Sequence, residues 1–329
     1  MALRLVQLRM ADGRRTLSAC DGQGAPFEVN GVPTSYELAR LALADGVSLP
    51  DAALARKGVA VDLGQALEEG RILPPIDHPD PAHLYLTGTG LTHLGSAEGR
   101  DKMHKAAADG ATTDSLRMFQ MGVEGGKPAD GRPGAQPEWF YKGDGSCLVP
   151  PGAPLLSPDF ALDGGEEPEI AGIYLIDGDG VPRRLGFALA NEFSDHVTER
   201  GNYLWLAHSK LRQAAIGPEL LTGPLPDDVQ GVSRIVRNGD TLWEKPFVTG
   251  ELNMAHSIAN LEYHHFKYGL FRRPGDIHVH FFGTATLSFS DDVSLIDGDI
   301  FEISAAPFSL PLRNPLGRAA PAQTSVLPL

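Results

Sequence analysis

The sequence predicts an α+β protein that is mostly β, with a small α+β unit ahead of a larger β-rich one. Three observations carry this. Glycine (38) and proline (26) are frequent and spread along all 329 residues, which suits short strands joined by turns better than a helix bundle. Short apolar runs recur between turn dipeptides such as Asn30-Gly31 and Asp177-Gly178. Helical periodicity is confined to a few segments, and no repeat of 20 to 50 residues or low-complexity tract is present.

Taken in order, "LRLVQLRM" alternates as a strand does, and "FEVNGVP" places Asn-Gly where a turn belongs. "PTSYELARLALADG" reads as a helix: Thr34 and Glu37 make a capping box, Leu38 and Leu41 supply the apolar stripe, and Gly46 ends it. Residues 1–75 are expected as the small unit and 76–329 as the catalytic one, with the proline-rich "LPPIDHPDPAH" (Leu73 to His83) as the linker. "HLYLTGTGLTHLG" reads as a strand entering a glycine turn, "SAEGRDKMHKAAADG" as a helix, and "EWFYKGDGSCLV" as a strand entering a loop. "AGIYLIDGDGVPRRLGFALANEF" is two apolar strands joined through Asp177 to Gly180, a hairpin. "DIHVHFFGTATLSF" and "DGDIFEISAAPF" are again strand-like.

Composition limits function. A net charge of −14 argues against a nucleic-acid groove or an anionic membrane surface as partner, though a bound cation would still admit an anionic small substrate. Cys20 and Cys147 are too few for a disulfide scaffold or a cysteine zinc site, which fits a reducing, cytoplasmic setting. No run approaches the roughly 18 to 20 apolar residues of a membrane span, and the N-terminus lacks a signal-peptide core.

The chemistry is signalled by "GGEEPEIAGIYLIDGDG". Residues two apart on a strand share a face, so Glu167 and Glu169 project together at its mouth while Pro168 turns away. Two carboxylates about 6 to 7 Å apart along one strand repel unless something positive lies between them. The returning strand ends in "ANEFSDHVTER", which brings Glu192 and Asp195 near the same mouth. Carboxylates without cysteine or histidine suit Mg²⁺, with Mn²⁺ or Ca²⁺ possible, better than zinc.

At these residues the chain resembles the fumarylacetoacetate hydrolase family, whose members carry E-x-E followed by an acid in a later segment. Glu167-Pro-Glu169 and "GFALANEFSD" match, so the third ligand falls on Glu192. The order continues through Lys210 of "WLAHSKLRQAAIGPEL", the Gly283-Thr284 turn of "FFGTATLSF", "DGDIFEI" and "PLRNPL", and upstream through "GLTHLGSAEG" and "PEWFYKGDGS". Together these cover roughly Tyr85 to Pro315. Glu192 replaces the family's usual aspartate, and Ser96 stands where a helix-start glutamate is expected three residues after His93, with Glu98 a weak substitute. The second departure shifts weight from water-activating hydrolases to members that use no water nucleophile.

The resemblance implies a mixed β-sandwich roll, a divalent cation on Glu167, Glu169 and Glu192, and a 2-keto acid substrate held by Lys142, Ser146, Gly283 and Thr284. Glu138 or Lys210 is implied for proton transfer, and His93 for protonating a leaving hydroxyl or, in a hydrolase, for activating water. The leading expectation is dehydration of a 2-keto-3-deoxy sugar acid, a pentonate, to 2-oxoglutarate semialdehyde in sugar-acid catabolism. The alternatives are a carbon–carbon hydrolase of acylpyruvates or diketo sugar acids, and a metal-dependent 2-keto acid binding protein without turnover. A homodimer or homotetramer is expected by resemblance alone. "TGTGLTHLG" lacks dinucleotide-loop spacing, "DGDG" lacks the twelfth-position glutamate of a calcium loop, and a metal site of His264, His265, His278 and His280 is disfavoured.

Overall fold

The structure, a computed structural model, describes residues 2–22, 24–94 and 113–329. The helix expected over 96–110, with Ser96 and Glu98, lies outside the described residues. The N-terminal strands are β1 (Arg4–Arg9), β2 (Arg15–Cys20), β3 (Phe27–Val29) and β4 (Lys57–Ala60). Next come β5 (Leu84–Gly88), β6 (Phe140–Asp144), β7 (Leu148–Val149), β8 (Leu155–Ser157), β9 (Pro168–Ile176), β10 (Pro182–Asn191), β11 (Ala214–Ile216) and β12 (Leu220–Leu221). The last are β13 (Val229–Arg237), β14 (Asp240–Thr249), β15 (Ile277–Phe281), β16 (Ile300–Ala305) and β17 (Leu312–Arg318).

One mixed sheet runs β4-β3-β2-β1-β12-β10-β9-β15-β5-β6, with β11 and β7 branching from β10. A second runs β14-β13-β16-β17-β8. The first 75 residues therefore do not hang apart. Their strands continue the large sheet through the β1–β12 ladder, and Leu5, Leu17 and Leu38 share one core with Leu84, Ile173 and Val279. The helix Ser35–Asp45 closes against them, with Thr34 Oγ1 accepting from the Glu37 N–H at 3.0 Å and Gly46 at φ 65° ending it. The expected linker is packed. Ile76 is fully buried, the Leu73 N–H donates to the Gln7 carbonyl at 2.8 Å, and Arg15 pairs with Asp77 at 2.6 Å.

The hairpin β9–β10 is the spine. Every residue of β9 is buried because both of its faces are covered, which is why its sequence reads as a continuous apolar run. Ala171, Ile173, Ala188 and Ala190 face the first core, while Ile170, Phe187 and Leu189 face a second core shared with Ile235, Phe247 and Phe301 of the smaller sheet. Burying each such large side chain contributes roughly 1.5 to 3 kcal/mol. The hairpin is not regular. Arg184 pairs with Tyr174 but Gly186 pairs with Ile173, so Leu185 is an extra residue in β10. Glycine is required at the bulge, since a Cβ on Gly186 would lie 2.1 Å from the Leu221 carbonyl oxygen.

Three histidines pack together beside β9: His278 and His280 on its neighbour β15, and His265 on the helix Ile258–Phe266. Trp139 Nε1, which can only donate, reaches His265 Nδ1 at 3.2 Å, so the His265 proton sits on Nε2 and points to His278 Nδ1 at 3.0 Å. His280 Nδ1 meets Thr87 Oγ1 at 2.8 Å. They are core groups, and among the described residues they form no metal cluster.

Burial holds His278 down to about 4 and His280 to about 3, and pushes His265 well below its ordinary value. The unfolded chain takes up protons on these rings as pH falls below about 6.5 while the folded chain refuses them, so their contribution to stability is present above that pH and lost below it. The ring resonances of these three histidines should not titrate between pH 8 and 5 in an NMR titration; a midpoint near 6.5 for any of them would contradict this packing.

Candidate functional site

The extra residue in β10 decides which way the third acid points. Beyond the bulge Ala190 lies opposite Glu169 and Asn191 opposite Pro168, and the Glu192 N–H donates to the Glu167 carbonyl at 3.1 Å. Directly opposed residues in an antiparallel ladder share a face, so Glu192 joins Glu167 and Glu169. One ligand oxygen from each lies within 4.8 Å of the others, and all three residues are buried.

Cations surround them. Lys210, ending the helix Leu206–Lys210, hydrogen-bonds Glu167 Oε1 and lies 3.3 Å from Glu192 Oε2. His196, the first residue of the helix His196–Gly201, places Nε2 3.2 Å from Glu167 Oε1 and Nδ1 3.4 Å from Asp163. Lys142 of β6 is wholly buried behind Glu192, 3.5 Å from Oε1, and donates to the Phe193 carbonyl at 2.6 Å and the Lys210 carbonyl at 3.1 Å. Glu169 Oε2 accepts from the Gly283 N–H at 2.7 Å. Glu169 Oε1 and Glu192 Oε1 have no hydrogen-bond partner.

Burial favours the neutral form of each acid, and the neighbours then separate the three. Glu169 is pushed well up by burial and by the charges of Glu192 and Glu167. Burial raises Glu192 to about 7, against the pull of Lys210. Burial would raise Glu167 too, but Lys210 and His196 outweigh it and hold it well below the usual carboxylate range. Burial works against a charged Lys210 and a charged His196, yet the acids win: Lys210 is raised, and Asp163 and Glu167 lift His196 to about 10. Lys142 falls to about 8 through burial, with Glu192 opposing. Two buried carboxyl oxygens without hydrogen bonds, next to a third acid, fit a hard dication with oxygen ligands.

The three acids open on a cavity lined also by Phe140, His196, Glu199, Lys210, Thr284 and Leu287. Leu91 borders it with φ 56°, a left-handed conformation that a bulky residue adopts at a cost of order 1 kcal/mol. The Phe140 ring lies 5.1 Å from Lys210 Nζ.

Of the residues singled out from sequence, Glu167, Glu169, Glu192, Lys210, Gly283 and Thr284 meet here. Others go elsewhere. Lys142 sits on β6 and supports Glu192 from behind instead of lining the cavity. Ser146 is exposed in a turn, where its N–H bonds Asp144 at 2.9 Å. His93 is buried with Nε2 on Thr249 at 2.8 Å and Nδ1 on Thr92 at 3.0 Å, outside the cavity lining, and burial lowers it to about 3. Glu138 accepts from the Tyr203 hydroxyl and lines a neighbouring aromatic cavity with Trp139 and Phe271. Asp195 caps the helix His196–Gly201 and pairs with Arg212 at 3.1 Å. His196 and Glu199 were missed. The signal for them was their place after Glu192, where a helix begun by Asp195 turns residues three apart to one side.

No protein-family model matches the chain, and no curated protein matches it significantly by sequence. Solved structures do match. A hexagonal crystal form of 2-keto-3-deoxyarabinonate dehydratase superposes with a TM-score of 0.71 at 22% identity, covering 97% of this chain and 100% of that one. 2-Keto-3-deoxy-D-arabinonate dehydratase complexed with magnesium and 2,5-dioxopentanoate gives 0.68 at 19%, over 97% and 99%. 5-Carboxymethyl-2-hydroxymuconate delta-isomerase from Mycobacterium smegmatis gives 0.58 at 18%, over 96% and 99%. The chain has the fold of these proteins over nearly its whole length.

Replacing Glu169 or Glu192 by glutamine should weaken Mn²⁺ binding in calorimetry by at least about tenfold, the effect of losing roughly 1.4 kcal/mol, with the circular dichroism spectrum kept. Unchanged affinity in both variants would remove the triad as a cation site.

Proposed function

We infer that the chain is a divalent-cation-dependent dehydratase of the fumarylacetoacetate hydrolase family, acting on a 2-keto-3-deoxy pentonate. The observation that carries this is the buried Glu167–Glu169–Glu192 triad, with two oxygens lacking hydrogen bonds, facing a cavity that also holds Lys210. The likeness to a dehydratase solved with magnesium and 2,5-dioxopentanoate supports it. Magnesium is the first choice, with manganese or calcium compatible with the same oxygen donors.

A cation held by Glu167, Glu169 and Glu192 would supply Lewis acidity towards a 2-keto acid and favour negative charge on its keto oxygen. The chain does the rest. Lys210, hydrogen-bonded to Glu167 and 3.3 Å from Glu192 Oε2, brings a positive charge to the cavity beside the carbon next to the ketone as that carbon loses its proton. Glu199 is a cavity carboxylate outside the triad and is the group we assign to take the proton. The hydroxyl one carbon further leaves as water with one proton, and tautomerisation of the resulting 5-hydroxy enone gives the terminal aldehyde. Thr284, with the backbone beside it, borders the space for the substrate carboxylate, while the Gly283 N–H keeps Glu169 aimed.

Hydrolysis of an acylpyruvate is the weaker reading, because His93, the candidate to activate water, is closed between Thr92 and Thr249. We extend the proposal to a homo-oligomer, consistent with strongly exposed Leu204, Leu252 and Leu270, and to a cytoplasmic setting. No helix among the described residues is long and apolar enough to cross a membrane.

The test is incubation of purified protein with Mg²⁺ and 2-keto-3-deoxy pentonates. The semialdehyde should form, and chelation should abolish it. Lys210→Met should lower kcat by about 10² to 10⁴ while cation binding is kept or tightened, since a competing positive charge has gone. Ligand binding without product from any isomer would instead favour a binding protein, and pyruvate release from an acylpyruvate would favour the hydrolase.

A further inference from the structure

Glu166 precedes the triad by one residue and is wholly buried, yet it faces away from the cation site. Both its oxygens are in use. Oε1 accepts from the Ser288 N–H at 2.8 Å and Oε2 from the Ser288 hydroxyl at 2.7 Å. Ser288 is itself buried. The residues just before it matter, because Thr284, Ala285 and Leu287 line the cavity. At their other end Gly283 donates its N–H to Glu169 at 2.7 Å. The wall 284–287 is therefore tied at both ends to the short stretch Glu166–Glu169, which also supplies two of the three triad acids. The next residue, Phe289, stacks its ring on His196, with centroids 5.2 Å apart.

A carboxylate buried among apolar groups costs several kcal/mol unless its oxygens are bonded, and an apolar pair of similar size would pack there without that cost. What the Glu166–Ser288 pair adds over an apolar contact is direction, because two hydrogen bonds to one residue fix both its backbone and its side chain. We propose that Glu166 is a positioning residue: through Ser288 it holds the wall 284–287 at a set distance from the triad and so shapes the space for the organic ligand. It touches neither cation nor ligand.

The ligand half of this inference rests on the proposed function, whereas the positioning half does not. Three variants of the full chain separate them: Glu166→Ala, the milder Ser288→Ala, and Glu166→Gln, whose amide can still accept from the Ser288 N–H and donate to its hydroxyl. Hydrogen exchange in peptides spanning 283–289 should speed up about tenfold in the two alanine variants, as expected for losing roughly 1 to 1.5 kcal/mol of hydrogen bonding. Mn²⁺ binding should not change, and pyruvate binding to the Mn²⁺-loaded protein should weaken by about the same factor. Glu166→Gln should restore both. Wild-type exchange in Ser288→Ala, or exchange raised as much by Glu166→Gln as by alanine, overturns the proposal. If the wild-type protein binds neither Mn²⁺ nor pyruvate, the functional reading fails and the exchange comparison alone decides the role of Glu166.

Discussion

Three carboxylates confined within 4.8 Å of one another, inside protein, are the constraint to which the rest of the site answers. Like charges so close in a medium of low polarity repel by several kcal/mol unless they are neutralised or protonated. The chain meets part of this itself. Lys210 lies against Glu167 and Glu192, His196 against Glu167, and Lys142 behind Glu192. What it leaves is two oxygens without a hydrogen bond, Glu169 Oε1 and Glu192 Oε1, and a dication held among the three acids would complete the balance.

The arrangement also explains why so many distant parts of the chain converge. The acids come from the entry of β9 and the exit of β10, Lys142 from β6, Lys210 and His196 from the short helices after β10, and Gly283 from just past β15. Strands β6, β5, β15, β9 and β10 are consecutive neighbours in one sheet, so their ends form one rim. Covering both faces of β9 and β10 fixes that rim, because shifting either strand would turn core side chains to the wrong side.

Much of this could be read beforehand. The hairpin, the first helix with its caps, and the E-x-E pair follow from local rules of strand alternation, turn chemistry and helix capping. The position of Glu192 followed only in outline: a short turn brings the two strand ends together, but which face the acid takes depends on Leu185, whose bulge has no sequence mark beyond one glycine among many. Side-chain reach was the other gap. Lys142 and Glu138 lie four residues apart around β6, yet one passes behind Glu192 and the other meets Tyr203, a choice made by packing from the far-off segment 193–210. His93 reads as catalytic beside a glycine turn, and two threonines distant from each other in sequence close it off. Nothing local in the sequence marks β12, two residues long, which joins the strands of the first 75 residues to β10.

The bulge at Leu185 also makes the hairpin intolerant of odd changes in length. Losing or gaining one residue between it and Glu192 would send that carboxylate into the apolar layer on the reverse of the sheet. A change of two would leave it on the proper side but displace it by about 6 to 7 Å along the strand. Length variation is far cheaper at the tip, Asp177 to Gly180, where added residues can loop outward. Any protein derived from this one by insertion or deletion is thus free to vary at one end of the hairpin and held to an exact count at the other.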